Sequence, residues 1–384
     1  MIQYKQLFEV VYMHKAIKVR LYPNTKQIIL IAKTLGCVRF VYNYFLSLRI
    51  KVYNGAHASL SYDFCSSMLP KLKKRFPFLK EVDSAALQQA LRHLDKAYDN
   101  FFEGRADVPV FKKKSRDRKY STVCTNNNIR IEGGYLILPK LGSVKMKLHR
   151  NVPDGWRLTS ATVERTPSGE YYASIHFSYE NQVEKVSPVN VLGLDYSSAY
   201  LYIDSNGDEP DFEKQYRKYE DRLAKEQRKL SKMQRDAKAA GRDLSDCSNY
   251  QKQKRKVAKI HEKIANCRKD ALHKLSKQLA YEYDAIGVED LNLHALAQSL
   301  NLGKSTLDNG YGMFLRMLEY KLNDRGKQLV RTDKWFPSTK TCSCCGNIRP
   351  MKLSEREYVC PECGMVIDRD WNAAINIREE AIRI

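Results

Sequence analysis

Four cysteines between positions 342 and 363 fall into two C-x-x-C pairs, Cys342 with Cys345 and Cys360 with Cys363, separated by 14 residues. Zinc takes four thiolates in a tetrahedron at about 2.3 Å, and a C-x-x-C turn presents two at that geometry, so the spacing predicts one structural zinc ion. Gly346 and Gly364 follow the two knuckles, where the backbone must turn left-handed. Cys344 is a fifth thiol in the same stretch, and the spacing favours Cys345 over it. A lone C-x-x-C could be a redox dithiol; two paired ones read as a metal site. Four thiolates leave no open coordination position, so this zinc would fold the chain locally and leave the chemistry to other residues.

Three acids stand where that chemistry could be done: Asp195 in VLGLDYSS, Glu289 in AIGVEDLN and Asp370 in DRDWNAAINI. Each ends an apolar run or opens a helix, which places a carboxylate at the edge of a packed layer. Taken singly, such an acid is more often a cap or a turn residue. Taken together in a basic chain, they fit a cluster holding two magnesium ions about 4 Å apart, which activates water and steadies the leaving oxygen in phosphodiester hydrolysis.

The charge balance points to the same substrate class. The chain has 384 residues with 66 Lys and Arg against 44 Asp and Glu, a net charge of +22. That excess suits a polyanion, nucleic acid first, and is a poor match to an acidic-surface metabolic enzyme. The composition, 43% hydrophobic with 18 Gly and 12 Pro, is that of a folded protein of two to four modules. No run reaches the roughly 18 consecutive apolar residues of a membrane span, and MIQYKQLFEVVYMHK lacks the apolar core of a signal peptide, so the cytoplasm is the expected compartment. Five of the ten cysteines crowd into the metal-site stretch and the rest are scattered, which also fits a reducing compartment.

The elements that must carry these residues can be read from periodicity. KAIKVRLYP alternates apolar and basic residues up to Pro23, a strand with Lys15, Lys18 and Arg20 on its polar side. A helical pattern follows from Thr25 to about Lys51. A second has Leu87, Leu91, Leu94, Tyr98 and Phe101 behind Ser84 as N-cap. Two basic runs flank it, PKLKKRF with Lys73 and Lys74, and FKKKSRDRK with Lys112, Lys113, Lys114 and Arg116; these could meet phosphates, although a solvated charged face is the plainer reading. From about Tyr120 to Tyr179 short alternating runs separated by Gly, Pro and Asn predict a small antiparallel barrel or sheet, which the opening strand should join. VLGLDYSSAYLYIDSNG then reads as two buried strands. Residues 211–280 carry 21 basic against 10 acidic residues in two helical patterns about GRDLSDCSN, an antiparallel hairpin with one apolar stripe from Phe212 to Met233 and another from Val257 to Ala271. A short strand before Glu289, a helix around GMFLRMLEYKLNDRG and a strand QLVRTD complete a mixed α/β pattern.

The order of these phrases resembles the TnpB family of transposon-encoded RNA-guided nucleases, relatives of type V CRISPR effectors. It is carried by KAIKVRLYPNTKQ, GCVRFVYNYFL, LQQALRHLDKAYDNFF and FKKKSRDRKYST, then GLDYSS, KRKVAKIHEKIANCRKDALHKLSKQLA, IGVEDLN, WFPSTKTCSCCG, CPECG and DRDWNAAINI, from about Lys15 to the C-terminus. The resemblance implies an α/β multidomain protein. A RuvC-like nuclease domain of RNase H type would span 189–332 and 365–384, with the basic hairpin at 211–283 and a zinc ribbon inserted at 333–364. A β-barrel wedge domain would take 1–22 and 116–188, and a helical recognition domain 23–115. The catalytic acids implied are Asp195, Glu289 and Asp370; Asp368 is the rival third acid, Asp370 being preferred because it directly precedes the NAA helix. The implied partners are a guide RNA derived from the transposon end and target double-stranded DNA; a monomer is favoured, and the spacing of the hairpin stripe leaves packing against a second copy open. Two departures from the family's pattern stand out. Ser197 occupies a position where Gly is frequent, two residues after the first acid, and PSTKT replaces PSSKT before Cys342. Both leave the acids intact. Met13 stands where family members usually begin, so residues 1–12 would be either an extension or the product of a misplaced start site. A nuclease-inactive RNA-guided DNA-binding repressor and a miniature type V CRISPR effector share most of this pattern and are the alternatives.

Overall fold

The computed structural model describes residues 11–181, 183–292, 308–352 and 354–384. Residues 1–10, which open the expected barrel segment and make up most of the expected extension, lie outside them. The chain forms two compact units, Met1–Gln182 and Val183–Ile384.

In the first unit the strands β1 (Val11–Tyr22), β2 (Lys119–Val123), β3 (Arg130–Glu132), β4 (Tyr135–Leu138), β5 (Gly142–Lys147), β6 (Arg157–Arg165) and β7 (Tyr171–Asn181) build one sheet in the order β2-β6-β7-β1-β5-β4-β3. Every pairing in it is antiparallel. The opening strand thus joins this sheet as the alternation predicts, between β7 and β5. Among the described residues the ladder has β2 and β3 as its two ends, so the pairing is that of an open sheet and not a closed barrel. Ile17, Val19 and Leu21 of β1 are buried, and Lys18 on the opposite face is exposed, as period-2 patterning requires.

Helices α1 (Thr25–Ala56), α2 (Tyr62–Arg75) and α3 (Ser84–Phe102) share that sheet's hydrophobic core. A capping box starts α1: Asn24 Oδ1 accepts the Gln27 amide at 2.9 Å and Gln27 Oε1 accepts the Asn24 amide at 3.0 Å. By length and composition α1 could cross a membrane, but Ile31, Leu35, Val38, Val41, Phe45 and Leu46 are buried in the protein core. Helix α2 was not expected, since the run 70–76 reads only as a basic patch flanking the next helix; Cys65, Leu69 and Leu72, at helical spacing, are the buried stripe that holds it. The start of α3 also shifts by one residue. Asp83, whose carboxylate accepts the Ala85 amide, is its N-cap, and Ser84 is its first residue.

The second unit is built on a four-stranded sheet of β8 (Val191–Ser197), β9 (Leu201–Asp204), β10 (Ala285–Glu289) and β11 (Gln328–Thr332), in the order β11-β10-β8-β9. β8, β10 and β11 are parallel and β9 is antiparallel to β8. Helices α4 (Gln215–Ala239) and α5 (Ser248–Glu282) form the expected basic hairpin. Its seam is Leu223 against Val257, Ile260 and Ile264, flanked by Tyr216, Tyr219 and Leu230, whereas Met233 at the end of the expected stripe is exposed. Asp308, almost wholly buried, ties the hairpin down by accepting the Tyr216 amide at 2.9 Å and Arg268 Nη2 at 3.0 Å. Helix α6 (Tyr311–Asn323) packs with α5 against Leu192, Leu194, Ile286 and Val288 of the sheet. A two-stranded ribbon, β12 (Glu357–Val359) with β13 (Val366–Asp368), leads into the last helix, α7 (Arg369–Arg383).

Candidate active site and metal centre

Strands β8 and β10 run parallel in register, Ile286 beside Leu192, Gly287 beside Gly193 and Val288 beside Leu194. Residues alternate faces, so the bulky members of these pairs meet α5 and α6 while Gly193, Asp195, Gly287 and Glu289 share the opposite face. That face carries α7. A Cβ on Gly193 would overlap the Ala374 carbonyl oxygen and stand 2.6 Å from the Arg378 nitrogen; on Gly287 it would stand 2.8 Å from the Ile377 carbonyl oxygen. Two glycines therefore let α7 lie directly on the strands. Two residues further along each strand, at the C-terminal edge, Asp195 and Glu289 reach the start of α7, where Asp370 sits in the first turn.

The three carboxylates line one pocket of about 190 Å³ together with Tyr196, Leu291, Thr339, Met351, Lys352 and Arg369. Burial pushes the Asp195 carboxyl well above the usual carboxylate range, and the neighbouring Glu289 and Asp370 push it further. Burial also raises Glu289, opposed by the hydroxyl of Ser338, which donates to Glu289 Oε1. Asp370 Oδ1 is held by Arg369, at 2.7 Å from Nε and 2.6 Å from Nη2. Like charges crowded into one partly buried pocket are what a divalent cation neutralises, and an all-carboxylate donor set suits a hard one. Asp368 has different work: its Oδ1 accepts the amides of Asp370 and Trp371 at 2.9 and 3.0 Å as the N-cap of α7.

The cysteines meet on the ribbon. The Sγ atoms of Cys342, Cys345, Cys360 and Cys363 all lie within 4.8 Å of one another, with Cys342 to Cys363 at 3.6 Å and Cys345 to Cys360 at 3.5 Å. Thiolates around a tetrahedral zinc stand about 3.8 Å apart, so the four fit zinc closely. The two knuckles are built alike. Gly346 and Gly364, at φ 78° and 71°, donate to the carbonyls of Cys342 and Cys360. Cys344 is exposed and outside the cluster.

The basic residues expected at phosphates divide into two kinds. Lys18 pairs with Glu164 at 2.9 Å, Arg20 with Glu170, and Lys73 donates to Ser84 Oγ at 2.7 Å. Lys15 lies over the rings of Trp156 and Tyr179, which stack on each other. Lys112 is half-buried with its ammonium 4.1 Å from the Tyr42 ring centroid. Lys74, Lys113, Lys114 and Arg116 are exposed.

Sequence reasoning assigned no role to Ser338, Asn372 or Asn376. The signal available for the asparagines was two amides four residues apart on a helix that otherwise shows Ala and Ile to the sheet, since buried amides demand partners. Asn372 is fully buried and Asn376 nearly so.

Three family models match the chain: OrfB_IS605, described as "Probable transposase", over residues 174–300; a "Helix-turn-helix domain" of the same family over residues 13–57; and a "Cas12f1-like, TNB domain" over residues 311–377. In the structure residues 13–57 form a strand and one continuous helix. The chain is 36% identical over 367 residues to a "Putative RNA-guided DNA endonuclease" of Streptomyces pristinaespiralis, covering 94% of this chain and 88% of that one. It is 29% identical over 380 residues to "Putative RNA-guided DNA endonuclease InsQ" of Escherichia coli K12, covering 94% and 91%. In fold it is similar to Cas12f1 as solved with its guide RNA and target DNA, at a TM-score of 0.50 and 12% identity, over 96% of this chain and 99% of that one. Identity to the Streptomyces protein over nearly the whole of both chains places this one in the TnpB family.

Proposed function

We propose that the protein is an RNA-guided DNA endonuclease of a transposon, which cleaves guide-matched double-stranded DNA beside a short motif. The observation that carries this reading is the convergence of Asp195, Glu289 and Asp370, spread over 176 positions of sequence, on one pocket. In this reading the second unit is an RNase H-like RuvC nuclease with the zinc ribbon inserted before α7. The first unit supplies a wedge domain from its sheet and a recognition domain from its helices. It acts in the prokaryotic cytoplasm as a monomer, with guide RNA from the transposon end as partner. Base pairing selects the target, and a net charge of +22 supplies affinity for the backbones.

Asp195, Glu289 and Asp370 would hold two magnesium ions. When bound they would supply activation of the attacking water and charge stabilisation for the leaving 3′ oxygen, so that the products would be 3′-hydroxyl and 5′-phosphate ends. Arg369 and Lys352, which line the same pocket, bring positive charge to the scissile phosphate. The one site would cut both strands in turn.

The test is to express the protein with the DNA flanking its gene, sequence the RNA that copurifies, and challenge the complex in magnesium with plasmids carrying a randomised motif beside a guide match. The wild type should cut beside a fixed motif. Asp195→Ala should lose at least about three orders of magnitude in rate while retaining RNA and target binding, because only the metal ligand is removed. Target binding without cutting by the wild type would move the assignment to an RNA-guided repressor, and absence of a defined RNA would remove the guided reading.

A further inference from the structure

The zinc ribbon is joined to the carboxylate pocket by a continuous set of hydrogen bonds, most of them partly or wholly buried. Residues 337–341 form a tight turn in which Pro337 O accepts the amides of Lys340 and Thr341 at 3.0 and 3.1 Å and the Thr341 hydroxyl at 2.9 Å. Asn376 Nδ2 donates to the carbonyls of Ser338 at 2.8 Å and Thr341 at 2.7 Å. One turn earlier on α7, Asn372 Nδ2 also donates to the Thr341 carbonyl at 2.7 Å, and its Oδ1 accepts the amide of Ser343, inside the first zinc knuckle, at 2.9 Å. Tyr358, wholly buried, bonds from the second half of the ribbon to the carbonyls of Lys340 and Asn347 at 3.1 and 3.2 Å. At the end of this chain the Ser338 hydroxyl, on a residue only 2% exposed, donates to Glu289.

A carboxylate on the last residue of a strand has several rotamers open to it, and a metal ligand needs one. The Ser338 hydroxyl favours one rotamer of Glu289, and the two asparagines help to hold the turn that carries this hydroxyl against α7. We propose that Ser338 is a positioning residue for Glu289, and that the zinc ribbon, through Asn372, Asn376 and the 337–341 turn, braces the carboxylate pocket for its metal. The zinc then has a role beyond folding the ribbon, since the knuckle that binds it also sets the far end of the brace. This inference rests on the nuclease reading for the identity of the reaction, but the brace concerns metal affinity and can be measured without it.

The experiment compares wild type, Ser338→Ala, Ser338→Thr and Asn376→Asp as full chains with bound RNA. Manganese binding is followed by calorimetry in the presence of uncleavable target, zinc content by mass spectrometry, and cleavage as a function of magnesium. Ser338→Ala removes only the hydroxyl and should fold. Expected are an affinity for the pocket metal weaker by about tenfold or more, a magnesium requirement raised in proportion, unchanged zinc content and target affinity, and recovery in Ser338→Thr, which restores the donor. Asn376→Asp, which keeps the shape but replaces the donor facing two carbonyls, should show the same metal defect with zinc retained. Wild-type metal affinity in Ser338→Ala, or an equal defect in Ser338→Thr, would overturn the proposal, the latter by showing that shape and not the hydroxyl matters. If the wild type cuts nothing, the nuclease reading fails; the calorimetric comparison still decides the brace.

Discussion

At Gly193 the presence or absence of one methyl group decides whether α7 can reach the strands. An added Cβ collides with backbone, the Ala374 carbonyl and the Arg378 nitrogen, and backbone cannot swing aside as a side-chain tip can. Gly193→Ala should therefore lower stability by about 3 kcal/mol, at the upper end of the usual cost of overpacking. Because α7 carries Asp370, cleavage should fall by more than the loss of folded protein explains. Denaturant unfolding and single-turnover cleavage on the same preparation check both parts, and an unchanged midpoint would refute the packing argument. The acids could be singled out in the sequence, Asp195 and Glu289 because each ends an apolar run and Asp370 because it opens a helix. The glycines two positions before Asp195 and Glu289 were equally visible, yet nothing local says that a glycine in a strand faces a helix more than 80 residues further along. The same holds for Asn372 and Asn376, whose partners lie in a turn that only the fold brings beside them.

Among the elements, the hairpin of α4 and α5 was the plainest in the sequence, because an apolar stripe at helical spacing needs only a local partner. Its polar fastening was not. Glu226, 6% exposed, accepts Gln253 Nε2 at 2.7 Å and pairs with Lys256 at 3.0 Å, and these contacts outweigh burial and hold its carboxyl down to about 2. A carboxyl whose pKa falls on folding stabilises the fold fully above its ordinary value, near 4.5, and loses that contribution as pH drops from there toward 2. Glu226→Gln should accordingly melt below the wild type at neutral pH, and the gap between the two should close between about pH 4.5 and 2. Proton competition for the zinc thiolates acts on both proteins and cancels from the difference. A gap that stayed constant over this range would mean that the charge contributes nothing. Helix α2 was the element missed, for a reason of the opposite kind. Its stripe is only Cys65, Leu69 and Leu72, and a proline with four basic residues hides it.

For the molecule as a whole, composition alone pointed to a polyanion, but not to which cations would meet it. A lysine in a run of lysines looks the same whether its ammonium faces solvent or an aromatic ring. Within the run FKKKSRDRK, Lys112 is turned in over Tyr42, and burial pushes its ammonium pKa down, while Lys113, Lys114 and Arg116 stay exposed. Phosphate contacts release counterions, so each one lost flattens the dependence of log affinity on log salt by about 0.9 for duplex DNA and about 0.7 for a single strand. Replacing Lys113, Lys114 and Arg116 together with Ala should thus reduce the salt slope of nucleic-acid binding by about 2 to 3 and weaken affinity most at low salt. Lys112→Met should leave the slope where it is and act instead on stability, since it removes a packed cation from Tyr42. Fluorescence anisotropy with the guide RNA and with target duplex, each titrated in salt, separates the two effects. If Lys112→Met flattened the slope as much as the triple variant, then orientation in the folded chain would not be what selects these phosphate contacts, and the basic run would be acting as an undivided patch of charge.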